Sequence, residues 1–118
     1  MTLTSEPVEI PADARAQFDL SFAERWGDGF PLLPPTDDAV QALLAASPYP
    51  ADYALCVLPP VNGVATVELI AINAAMAGVE PAAFPYVLAA LEARPEAELR
   101  EIADEFYPHV LALLGVTA

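Results

Sequence analysis

Ala14, Phe18, Phe22 and Trp26 recur at every fourth position between Pro11 and Gly27, which lays one apolar stripe along a helix. Proline suits a first helical position and glycine a C′ position, so a helix is predicted from Pro11 through Trp26, ended by Gly27. Residues 1–10 carry no such period and are bounded by Pro7 and Pro11; they are expected to form an extended arm. Gly27 to Pro35 holds two glycines and three prolines, which fix a specific irregular path and leave few backbone donors.

Thr36 then caps a second helix, with Asp37 and Asp38 favourably placed in its first turn and Val40, Leu43 and Leu44 as its apolar face. Ser47-Pro48-Tyr49-Pro50 stops it. Tyr53 to Leu58 is a short apolar run that reads as a strand, pairing either with the arm around Val8 to Ile10 or with another chain. Asn62-Gly63 turns the chain, and Thr66 is a good N-cap for a helix to Ala77, closed by Gly78. Its apolar residues (Val67, Leu69, Ile70, Ala71, Ile72, Ala74, Ala75 and Met76) cover nearly every direction around the axis, so it is expected to be buried all round. Further helices are predicted from Pro81 to Arg94, and from Glu96 to about Leu114. In the last, Leu99, Ile102, Phe106, Val110 and Leu113 form the stripe and Pro108 forces a kink. The expected fold is mostly α: one domain over 1–118 with about five helices, one short β-strand or small β-hairpin, and a Gly/Pro-rich loop.

Composition changes this picture in two ways. Hydrophobic residues make up 56% of the 118, which suggests that part of the surface is hidden against another subunit. The chain has 17 acidic residues against four arginines and no lysine, a net charge of −13. Such a surface disfavours phosphate contacts and anionic membranes, so neither a nucleic acid nor a membrane is expected as partner. Cys56 is the only cysteine, which excludes an internal disulfide. No leader-like segment and no apolar run of membrane-spanning length is present, and a cytoplasmic protein is expected.

Candidate chemistry is sparse. The start of the Thr66 helix offers backbone N–H groups and a partial positive charge beside Gly63, where a carboxylate or phosphate would dock. Against that, Thr66 caps its own helix and Glu68 supplies the anion, which is the favoured reading. Asn73, mid-helix among Ile and Ala, is expected to be a buried amide that binds a ligand, bridges to the Gly27–Pro35 loop, or pairs across an interface. Five residues separate it from Glu68, about 140° around the axis, so that helix alone does not aim both at one point. Asp28, between two glycines, either holds a turn or projects into a cleft as acid, base or ligand. Glu101, Glu105 and His109 can share a helical face beside Glu98, a weak metal-binding signal in an acidic stretch disturbed by Pro108; no metal or cofactor is assigned. Cys56 reads as a small hydrophobe. No nucleophile-elbow, phosphate-loop, dinucleotide-binding, Cys-x-x-Cys or His-Glu-x-x-His motif occurs.

Two segments, RWGDGFPLLPPTDDAV at 25–40 and VLPPVNGVATVELIAINAAMAGVEPAAFPYVLAALEA at 57–93, resemble the N-terminal region of the UGSC-type (seleno)proteins, a bacterial family named for a Sec-Gly-Ser-Cys motif. The resemblance implies that Trp26, Asp28, Gly29, Pro31, Pro34, Pro35, Thr36, Gly63, Thr66, Glu68, Asn73, Met76 and Gly78 lie at or around a site. Leu69 stands where that family has a lysine, and Val79 where it has a cysteine. The family's proteins continue through a longer region with a cysteine-containing motif, whereas no Sec-Gly-Ser-Cys sequence or equivalent occurs here.

The combined expectation is a small subunit of a hetero-oligomeric bacterial enzyme acting on a small molecule, in a truncated stand-alone form, with the site at the subunit interface. Asp28 and Glu68 would be catalytic, while Trp26, Gly29, Pro35, Thr36, Gly63, Thr66 and Asn73 would bind ligand. The alternatives are a self-contained homodimeric enzyme with carboxylate or metal chemistry, and a non-catalytic partner subunit.

Overall fold

Asp13, not Pro11, starts the first helix: its Oδ2 accepts from the Ala16 N–H at 2.9 Å and satisfies one of the donors a helix start leaves open. The computed structural model describes residues 2–27, 29–58, 63–93 and 101. Within them lie four α-helices and one β-hairpin: α1 Ala14–Ala23, α2 Asp37–Ala46, β1 Ala54–Leu58, β2 Gly63–Thr66, α3 Val67–Met76 and, after a 3₁₀ turn at Pro81–Ala83, α4 Phe84–Ala93. The mostly α reading with a small hairpin holds. The fifth helix, expected from Glu96, falls outside the described residues save for Glu101.

The first helix departs most from its expected form. It stops at Ala23, and Arg25 rather than Gly27 takes the left-handed position, with φ of 59°. The Arg25 N–H reaches Phe22 O at 3.2 Å and the Trp26 N–H reaches Ser21 O at 3.0 Å, a paired closure of the last helical carbonyls. Glycine identity therefore misled the boundary. The predicted stripe does not reach the core either. Ala14, Phe22 and Trp26 are exposed, Phe18 is half-buried, and the buried member of α1 is Ser21.

The core is built by the other elements. Val40, Leu43 and Leu44 of α2 meet Val67, Ile70, Ala71, Ala74 and Ala75 of α3, with Phe84 and Leu88 of α4 closing the far side. Ala71, Ala74 and Ala75 keep the buried side of α3 small, and Phe84 is the largest fully buried side chain of the core. Thr36 caps α2 as expected, its Oγ1 accepting from the Ala39 N–H at 3.2 Å.

β1 finds its partner in β2, not in the arm around Val8 to Ile10. The strands are antiparallel, pairing Cys56 with Ala65, Val57 with Val64 and Leu58 with Gly63, after a bulge between Ala54 and Cys56. Leu55 lies within that irregularity and Cys56 just after it, and both pack against the core, while Val57 and Val64 face outward. Four residues are too few to show alternation along the chain, so in the sequence Gly63 and Thr66 signal only a turn and a cap. Among the described residues, no helix is long and apolar enough to cross a membrane.

Candidate functional site

Two predicted groups of site residues lie at opposite ends of α3. At its start, Thr66 Oγ1 accepts from the Leu69 N–H at 3.3 Å. The Val67 N–H donates to Tyr53 O at 3.0 Å and the Glu68 N–H to Ala51 O at 2.9 Å. The helix start is thus already satisfied by the chain itself, and its N–H groups are not open to an external anion. Gly63, exposed at the head of β2, and Thr66 are here engaged in the hairpin and the cap.

Glu68 belongs to this end and is buried, at 4% exposure. Its carboxylate is held by the N-terminal arm. The Thr4 N–H donates to Oε1 at 2.8 Å, and Oε2 accepts from Thr4 Oγ1 at 2.7 Å, Ser5 Oγ at 2.8 Å and the Ser5 N–H at 3.0 Å. Burial pushes the carboxyl upward, but these four donations more than cancel it and hold Glu68 below the ordinary value of 4.5. Thr4 and Ser5 were absent from the predicted set. The signal that would have found them is the buried acid itself, which must be matched by donors.

At the other end of α3 sits the Gly/Pro-rich loop. The Leu33 N–H donates to Met76 O at 2.9 Å, and Gly78, with φ of 83°, lies where an added Cβ would touch Leu33 Cδ1 at 3.5 Å. The two sequence blocks therefore do meet, though the loop joins the end of α3 and not its start. Trp26 and Thr36 are exposed, Pro35 and Gly29 are half-buried, and Gly29 has φ of 106°. Asp28 lies outside the described residues.

Asn73 is not a buried amide. It is exposed, and its Nδ2 donates to Leu69 O at 2.8 Å, one turn back along its own helix. Nor is α3 buried all round. Leu69 is 44% exposed, and with the exposed Asn73 and the half-buried Met76 it lies along one side of the helix, whose Met76 carbonyl is bonded by the Leu33 N–H. Leu33 and Phe30 of the loop, the latter 74% exposed, and Phe22 of α1 are further large apolar side chains at the surface. A shallow, open dimple that encloses no volume lies beside Phe22 and Phe30, lined by Phe18, Ser21, Phe22, Gly27, Gly29 and Phe30. Small-molecule pockets usually run to several hundred Å³ with a few convergent polar groups. The hydroxyl of Ser21 is already spent on Phe18 O at 2.8 Å.

Among the described residues, no group of three or more His, Cys, Asp or Glu could hold a metal. Of the acidic helical face considered for a metal, Glu101 alone is described; Glu98, Glu105 and His109 lie outside the described residues. Burial raises the Cys56 thiol above its usual range, which disfavours the nucleophilic thiolate. No protein-family model, no curated protein and no solved structure matches the chain.

Proposed function

We propose that the chain is a small cytoplasmic subunit of a hetero-oligomeric enzyme acting on a small molecule, and that it meets its larger partner on the outer face of α3 and the adjoining loop. One observation carries this reading: Leu69 of α3, Leu33 and Phe30 of the loop and Phe22 of α1 are large apolar side chains left at the surface, and the main-chain bond from Leu33 to Met76 ties the loop to α3. Apolar stretches of that kind mark association sites. The dimple beside Phe22 and Phe30 is too shallow to enclose a substrate unaided, so a substrate held there would need the partner chain to close over it. A relationship to the N-terminal region of the UGSC-type proteins is part of the same proposal, since the segments that carry it border this face.

Within that reading, Asp28 supplies an acid or base from the loop, and Asn73 offers amide hydrogen bonds from the middle of the face. Glu68 is the less direct member, because its carboxylate is occupied by the arm. That occupation favours a second reading, in which the chain is a non-catalytic partner that stabilises a larger enzyme. Activity of the assembled complex separates the two. Asp28→Asn lowering turnover while leaving assembly intact supports the catalytic reading; unchanged turnover supports the stabilising one.

A further inference from the structure

We draw no further inference here: the strongest candidate, the outward apolar face of the β1–β2 hairpin at the paired Val57 and Val64, is an unpartnered surface and nothing in the structure shows what covers it.

Discussion

The main-chain N–H of Leu33 donates to the carbonyl of Met76 at 2.9 Å, and through this bond the Gly/Pro-rich loop is fixed to the C-terminal end of α3. Helix carbonyls at this end lack partners within the helix, so a loop amide is well used there. The neighbouring carbonyls of Ala74 and Ala75 are taken by the N–H groups of Val79 and Gly78, at 2.9 and 3.1 Å. The loop, the helix end and the left-handed Gly78 thus form one unit.

Gly78→Ala tests the backbone part of that unit. An added Cβ would meet Leu33 Cδ1 at 3.5 Å, an ordinary contact, so crowding is not the cost. The cost is the left-handed conformation at φ of 83°, about 1–2 kcal/mol for a residue with a Cβ. Urea denaturation should show a loss of that size, and Gly78→Asn should lose less.

Arg25→Gly makes the opposite prediction. Arg25 occupies the same closure position after α1 with φ of 59°, against the preference of a side chain. Relief of that strain, less the entropy glycine loses on folding, should stabilise the end of α1 by about 0.5–1 kcal/mol. Amide exchange of residues 20–26 should slow. A destabilised variant would mean that the arginine side chain holds the loop in a way its backbone does not.

The acid response should carry the signature of Glu68. Its folded carboxyl binds a proton less tightly than the unfolded one, because four donors outweigh the effect of burial. Its stabilising contribution is therefore complete above the ordinary carboxyl range and is lost as pH falls through the depressed folded value. Glu68→Gln should cost on the order of 2 kcal/mol at neutral pH. Urea midpoints of the two proteins should converge as pH falls from about 5 towards 3. A constant difference across that range would remove the carboxylate from the explanation.

Much of the fold was legible along the chain, and the misses share a cause. Thr36 and Thr66 announce their caps, and Val40, Leu43 and Leu44 announce the face of α2, because these signals are local. The end of α1 was misread because Arg25, not a glycine, turns left-handed there. The arm is legible as an extended segment, but nothing in Thr4 or Ser5 states that a carboxylate 64 and 63 positions away will need their donors. The apolar neighbours of Asn73 in sequence suggest burial, yet helical geometry puts it on the exposed side with Leu69. Candidate residues were visible as types; which end of α3 each occupies depends on long-range packing.

Leu69→Asp and Asn73→Ala distinguish a docking face from a structural one. Both positions are exposed, and the Asn73 amide bonds only within its helix among the described contacts, so folding stability should move by less than about 0.5 kcal/mol. Pull-down or titration calorimetry with the partner subunit should nevertheless show binding weakened at least about tenfold by Leu69→Asp, since a charge would be buried in an apolar contact. Full binding by Leu69→Asp would move the interface elsewhere.

The most direct measurement is size-exclusion chromatography with light scattering, on the chain alone and co-expressed with the proteins of its genomic neighbourhood, with metal analysis on each peak. A subunit that meets its partner on the α3 face should elute in a stoichiometric hetero-complex that Leu69→Asp abolishes. A stable homodimer or monomer that ignores every neighbour, with or without the substitution, would contradict the hetero-oligomeric assignment.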